Sequence, residues 1–436
     1  MTPLILVIIG AIGLMLAGVP VAFAFALAGF LLCIIYGIDL SGAVHGAFKR
    51  LNMFALLALP LFILLGTVMS HSGLARRLAD FVNAIVGRIR GGLGVVLIVS
   101  NALFGAISGV ATSALATLGT IMIPEMERVG YPRGYSTGLA VSSSVLSLLI
   151  PPSTSMIIFG IAGRVSIPLL FAATLIPGII LTVILSIINI IMCRNIPTIQ
   201  VPPKISFAEQ SKNIARTGGR AFFVLLLPLV ILGGIYGGVF TPTEAAGVAV
   251  VYALFAGLFV YRTLNLRTMC RALIGAGNLT GCIVIVFFFF FVLSRVLIIE
   301  EIPSRMVAAL LSITENKLLL LLIFNVVLFV TGMFMDDCSG LILSAIVYLP
   351  VATAIGIDPL HFGAIVGVNL GMGLITPPVA PLLYLGGVVG GGLPLKEYFK
   401  PAMYCIIFGF LPVLLLTTYI PALSLTLPHL IIAMRG

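Results

Sequence analysis

Leu148-Leu149-Ile150-Pro151-Pro152-Ser153-Thr154 and Leu374-Ile375-Thr376-Pro377-Pro378-Val379-Ala380 stand 226 residues apart in a chain of 436. Around them, 124–160 falls on 350–386 without a gap, with Pro124 on Pro350, Gly130 on Gly356, Leu148 on Leu374 and Gly160 on Gly386. A double proline removes backbone donors and disfavours helix in the residue before it. Each stretch therefore predicts an apolar helix broken in its middle. Upstream of each break lie two apolar segments with almost no polar loop between them, 92–108/110–127 and 318–334/339–355. The same shift brings the tip near Ser108–Ser113 onto the tip near Phe334–Ser339. Each copy reads as a re-entrant hairpin followed by a proline-broken helix.

Residues of the class AVILMFWYC make up 61% of the chain, and Asp, Glu, Lys and Arg only 8%. An average soluble domain is about 25% charged. Too little charge remains to cover a water-facing surface, which excludes a soluble enzyme, a disordered chain and a nucleic-acid binder. The excess of 23 Lys and Arg over 13 Asp and Glu sits in short loops, as at the cytoplasmic edges of a membrane protein. It forms no contiguous basic face for nucleic acid. The six cysteines, without Cys-x-x-Cys spacing, read as small apolar fillers. Met1-Thr2-Pro3 runs straight into an apolar stretch with no basic n-region, so no cleaved signal peptide is expected.

An apolar segment of about 20 residues crosses a bilayer as a helix. Besides the hairpins, the stretches 3–36, 51–71, 134–163, 166–193, 221–240, 243–261, 279–299, 358–391 and 402–431 qualify. The first is too long for one straight span, and Gly18-Val19-Pro20 predicts a break within it. Segments 72–91 and 262–278 read as amphipathic helices at the membrane interface. Segment 194–220 carries Arg194, Lys204, Lys212, Arg216 and Arg220 against Glu209, and reads as a cytoplasmic linker. Hairpins return to the side they entered from, and four full spans separate the two broken helices. By that parity the copies are inverted. Inverted repeats with discontinuous helices meeting near the bilayer midplane are the signature of a secondary transporter. The expected fold is an all-α polytopic membrane protein. Scaffold helices and an interfacial arm occupy 1–91, and a first transport-domain repeat 92–165. Further scaffold helices occupy 166–317, a second repeat 318–391 and a C-terminal helix 392–436.

Irregular backbone at membrane depth has to be buried in protein or line a wet cavity, so the tips and breaks are expected to cluster. Four helix N-termini, following Ser108-Gly109, Pro151, Ser339 and Pro377, would then point inward. Each carries roughly half a positive charge, which suits an anionic substrate. Thr112 and Ser113 at the first tip, Ser153 after the first break, Ser339 at the second tip and the Pro377-Pro378 turn are the substrate candidates. The helix ends facing them present free carbonyls, which suit a hard cation such as sodium. Asp336 and Asp337 are the only carboxylates of the constellation, with no Lys or Arg near them in sequence. An ionised residue at that depth needs a partner, and a bound cation is the simplest one. Asp336 is the better candidate, since Asp337 can equally face water at a tip.

Each feature also has a plainer reading. Small Ser, Thr and Gly residues let membrane helices pack closely, and a double proline alone can be a kink. It is the matched placing of both prolines that favours function. Pro242-Thr243-Glu244 suits a helix first turn, so Glu244 reads as a structural cap. The absence of Gly-Lys excludes a P-loop and ATP hydrolysis. Neither His-Glu-x-x-His nor Gly-x-Ser-x-Gly occurs.

The residues resemble the large membrane subunit of TRAP transporters (tripartite ATP-independent periplasmic transporters, the DctM family). The matching segments are Ser108-Gly109 through Ile123-Pro124-Glu125-Met126, Gly130-Tyr131-Pro132, Leu149-Ile150-Pro151-Pro152-Ser153 and Phe240-Thr241-Pro242-Thr243-Glu244-Ala245-Ala246. Gly332-Met333-Phe334-Met335-Asp336, Thr376-Pro377-Pro378, Leu59-Pro60-Leu61-Phe62 and Gly73-Leu74 complete it, over nearly the whole chain. The resemblance implies an elevator-type transporter of a bacterial inner membrane that imports an organic anion, usually a carboxylate, with sodium. It implies delivery by a periplasmic binding protein and pairing with a small four-helix membrane subunit. No extra spans precede Met1, so that subunit is expected to be a separate polypeptide. The family's sodium sites map onto Ser108, Gly109, Ser144, Pro151, Gly332, Asp336, Asn369 and Thr376. The chain departs from the family pattern at Val110-Ala111-Thr112-Ser113 and at Asp337-Cys338. Two other classes stay open. One is an intramembrane serine hydrolase built on Ala106-Ile107-Ser108-Gly109, for which no His is placed as a base. The other is a passive assembly subunit.

Overall fold

A computed structural model describes residues 2–201, 203 and 206–435, which leaves Lys204 of the basic linker outside the described residues. Among the described residues every regular element is helical. Eight helices among the described residues are long and apolar enough to cross a membrane, or nine if one bent pair counts as a span. The N-terminal stretch breaks where the glycine and proline predict it. Helices Thr2–Leu16 and Val21–Ile35 flank Gly18, whose φ of 90° only glycine adopts cheaply. Four spans, Ile167–Arg194, Phe207–Tyr236, Pro242–Val260 and Leu266–Ile299, separate the two hairpin units.

Several boundaries move, each for a local reason. The linker expected over 194–220 is shorter, because helix Phe207–Tyr236 already contains Lys212, Arg216 and Arg220. Its polar first half continues into its apolar second half, since nothing between them breaks a helix. The separate arm expected over 262–278 is the first part of one 34-residue helix, Leu266–Ile299. Asn265 caps its start, and its glycines leave the hydrogen-bond ladder intact. The arm expected over 72–91 is helix Leu74–Val86. Its apolar stripe of Leu74, Ala75, Leu78, Ala79 and Val82 is buried against Gly92–Ser108 and Phe207–Tyr236, so that stripe meets protein. The single C-terminal helix is two, a span Leu395–Tyr419 and, after Pro421, helix Ala422–Arg435 packed on Ile167–Arg194.

Glu244 does what a first-turn glutamate does. The Thr241 hydroxyl accepts from the Glu244 N–H at 3.3 Å, while Glu244 accepts from the Thr241 N–H at 2.8 Å, a reciprocal cap at the start of helix Pro242–Phe255. Thr241→Ala is expected to lower thermal stability by about 1 kcal/mol without altering any ligand response. A ligand response lost with the cap would show that Thr241 and Glu244 belong to the site.

Candidate functional site

The first hairpin consists of helices Gly92–Ser108 and Ala111–Arg128, packed together and joined by Gly109 and Val110. Gly109 ends the first arm in the left-handed region at φ 62°, a position that favours glycine. It is also hemmed in. A Cβ there would stand 2.8 Å from the Pro152 carbonyl oxygen and 2.8 Å from the Thr154 nitrogen. The break begins after Leu146–Leu149, passes through a cis Pro151-Pro152 bond, and restarts at helix Thr154–Gly163 under a Ser153 cap. The two axes differ by 45°. Tip and break are bonded to one another: the Gly109 carbonyl accepts from the Thr154 N–H at 3.2 Å and from its hydroxyl at 2.6 Å.

The second unit repeats this with different side chains. Helix Lys317–Phe334 ends at Met335, and Asp336 caps a return arm that runs through Asp337–Leu343, a π turn at Ser344–Tyr348, and Leu349–Ala354. Helix Pro359–Gly373 breaks at a cis Pro377-Pro378 bond and restarts at Pro381–Val389. Here the Met333 carbonyl accepts from the N–H groups of Val379 at 3.3 Å and Ala380 at 3.4 Å. Ala380 is the residue on which Thr154 falls under the 226-residue shift. Gly332 and Gly373 face each other backbone to backbone; a Cβ on Gly373 would stand 2.6 Å from the Gly332 Cα.

The two units meet. Helix Thr154–Gly163 packs on the second return arm, Phe159 lies 6.4 Å from Phe362 between ring centroids, and Gly371 approaches Val145 closely. The helix after the first break thus packs on the arm after the second tip, and the helices before the two breaks meet at Val145 and Gly371. Asp336 accepts from the Cys338 N–H at 3.2 Å, the Ser339 N–H at 3.4 Å and the Ser339 hydroxyl. It forms no ion pair among the described residues. One ligand atom from each of Asp336, Asp337 and Cys338 lies within 4.8 Å of the others. Ser108 Oγ at the first tip, Ser155 Oγ after the first break and Asn369 Oδ1 before the second are buried without a hydrogen-bond partner among the described residues. Buried polar atoms are nearly always satisfied. Orphaned oxygens beside a helix break match the donor set of a hard cation.

The expected residues divide. Ser144 is buried, with its hydroxyl donating to the Val141 carbonyl at 2.8 Å, and Thr376 donates to the Met372 carbonyl at 2.8 Å. The second inward helix begins two residues before Ser339, because the Asp336 carboxylate caps it. Ser339 spends its hydroxyl on Asp336 rather than on an anion. The fourth begins at Pro381, three residues beyond Pro378. Thr112 is exposed, and the Ser113 hydroxyl lies 3.0 Å from that of Ser70 on helix Ala58–His71.

Three contributors escaped the sequence. Asn101 donates to Ser143 at 2.8 Å, and Asn369 donates to the Asn325 side chain at 3.0 Å. Ser143 and Asn369 occupy matching positions under the 226-residue shift, which is the one signal that could have found the pairs. Gly66 gives Ser108 room, since a Cβ on it would stand 3.1 Å from the Ser108 Cβ. Among the described residues no side chain bonds the Ser108 hydroxyl, so none is placed there as the base a serine hydrolase requires.

The family model described as "Tripartite ATP-independent periplasmic transporter, DctM component" matches residues 8–423. The chain is 37% identical over 382 residues to the C4-dicarboxylate TRAP transporter large permease protein DctM of Pseudomonas aeruginosa, covering 88% of each chain. It is 35% identical over 426 residues to the sialic acid TRAP transporter large permease protein SiaM of Vibrio cholerae, covering 97% of this chain and 98% of that one. These relatives are transporter permeases and not enzymes. In fold it is similar to the crystal structure of the Alcanivorax borkumensis YdaH transporter, at TM-score 0.62 and 18% identity over 87% of this chain and 88% of that one.

Proposed function

The chain belongs to the DctM component family of tripartite ATP-independent periplasmic transporters, and on that premise we propose that it couples sodium to the import of a small carboxylate. It is a multi-span protein of the bacterial inner membrane. The hairpin units 92–165 and 318–391 form the moving body, and the remaining helices form a scaffold. Motion is of the elevator type. The four spans between the units give the parity that inverts one copy against the other. Linker 195–206 faces the cytoplasm. A periplasmic binding protein delivers the anion, and a small four-helix membrane subunit extends the scaffold. The relatives named for C4-dicarboxylate and for sialic acid support the carboxylate class.

The observation that carries the sodium reading is Asp336, a half-buried carboxylate at the second hairpin tip with no basic partner among the described residues. A charge at that depth is retained only with a counter-charge. Asp336 and free carbonyls at the second tip would hold one ion, and the Ser108 hydroxyl with carbonyls at the first tip a second. The helix N-termini at Ala111 and Thr154 would face the anion. Thermal unfolding of the purified chain in NaCl, KCl and choline chloride at equal ionic strength tests it. Sodium alone should raise stability by RT ln(1 + [L]/Kd), about 2.7 kcal/mol at a hundred times Kd. Three superimposable curves would remove sodium from the reading.

A further inference from the structure

Helix Thr154–Gly163 runs from the first break to a groove of about 510 Å3 at its far end. Ten residues of helix put that groove about 15 Å from the break. One wall belongs to the hairpin units, with Arg164 and Thr353, and the other to helices outside them, with Arg50, Met53, Phe291 and Ile298. The arginines thus come from opposite walls. Neither forms an ion pair among the described residues. Asp358, next to the lining residue Pro359, spends its carboxylate capping the Leu360 and His361 N–H groups.

We infer that this groove is an anion site in which one carboxylate bridges Arg50 and Arg164, tying the moving body to the scaffold before the anion reaches the breaks. The Arg50 guanidinium is half-buried, held 3.3 Å from the Ser294 hydroxyl and 5.6 Å over the Phe291 ring. A guanidinium so fixed is pre-oriented for bidentate carboxylate recognition. Arg164 is held in the left-handed region at φ 56°, where glycine would be the cheap residue. Burial, and then the charges of Arg164 and Arg295, push the Arg50 pKa down, and a carboxylate between the arginines would offset the charge part of that shift. The groove lies at the opposite end of Ile167–Arg194 from the basic linker, which on the proposed topology is the side of delivery.

The inference rests on the transporter reading, and its test is independent of sodium. The chain has no tryptophan, so Met53→Trp places a single reporter in the groove, with Thr353→Trp as a second reporter should the first fail to fold. The purified full chain is titrated in sodium-free choline buffer with succinate, pyruvate, N-acetylneuraminate and glycerol phosphate. Saturable fluorescence change with at least one carboxylate is expected, weakened about ten-fold or more by Arg50→Gln and by Arg164→Gln. Identical curves in the reporter and both glutamine variants, or no carboxylate response, overturn the proposal. Saturation by glycerol phosphate alone also overturns it and gives the groove to a lipid headgroup. In a sodium titration without carboxylate both glutamine variants should keep the sodium response, so failure of the ion reading leaves this result standing, and the reverse.

Discussion

Asp336→Ala is expected to abolish the sodium-specific stabilisation of the chain, about 2.7 kcal/mol at a hundred times Kd, and sodium-driven uptake with it. The substitution does two things that have to be separated. It removes a cap, since Asp336 accepts from two N–H groups and a hydroxyl at the start of the second return arm. Cap removal alone costs about 1 kcal/mol and is independent of salt. It also removes one of the two carboxylates that could answer a cation at this tip, the other being Asp337. Asp336→Asn divides the effects, because asparagine caps a helix about as well as aspartate but carries no charge. In choline chloride the asparagine variant should unfold close to the parent and the alanine variant about 1 kcal/mol lower. In sodium chloride both should fail to rise. A full sodium response in Asp336→Asn would show that the carboxylate charge is not a ligand, and would leave Asp336 as a cap. The passive-subunit reading makes the opposite forecast, with uptake unchanged in both variants.

The two broken helices were legible because their cause is local. Pro151-Pro152 and Pro377-Pro378 interrupt a helix whatever surrounds them, and their 226-residue spacing tied each to a hairpin. The hairpins were legible for the same reason: a tip of two residues leaves no room for a solvated loop. The errors arose where polarity was read as a boundary. Residues 262–278 and 207–220 change from polar to apolar without a proline, and a helix crosses such a change freely. Ser339 was misplaced by a related step, because a tip in sequence is not a helix start. The start is fixed by Asp336, the residue able to bond the free N–H groups behind it. Asn101 and Asn325 sit in apolar runs, and their partners lie 42 and 44 residues away on other helices. Pairing them required the fold, since a lone polar residue in a membrane helix carries no address. The Arg50–Arg164 groove escaped for that reason too, its two charges lying in segments with no shared pattern.

Gly373→Ala is expected to be strongly destabilising, at about 3 kcal/mol, the upper end of the range for overpacking. Its Cβ would stand 2.6 Å from the Gly332 Cα and 2.6 Å from the Gly332 carbonyl carbon, and backbone cannot turn aside as a side chain can. Relief requires the helix before the second break to move off the hairpin arm. That movement would also strain the bonds from Val379 and Ala380 to the Met333 carbonyl. Gly109→Ala should act on the first unit in the same way, with two causes. The left-handed φ of 62° costs about 1 kcal/mol or more for alanine, and the new Cβ would press on the Pro152 carbonyl. Gly247→Ala is the matched control, a glycine inside helix Pro242–Phe255 with nothing within 4 Å of its would-be Cβ. It should gain roughly 0.5–1 kcal/mol from helix propensity alone. Thermal unfolding of the three variants in choline chloride reads the fold, and the same scans in sodium chloride read the ion. If tip and break together make the site, Gly373→Ala and Gly109→Ala each lose sodium response beyond their loss of stability, while Gly247→Ala keeps it. Full sodium response in both site variants would mean that the close approach of tip to break serves packing, and that the ion is held elsewhere.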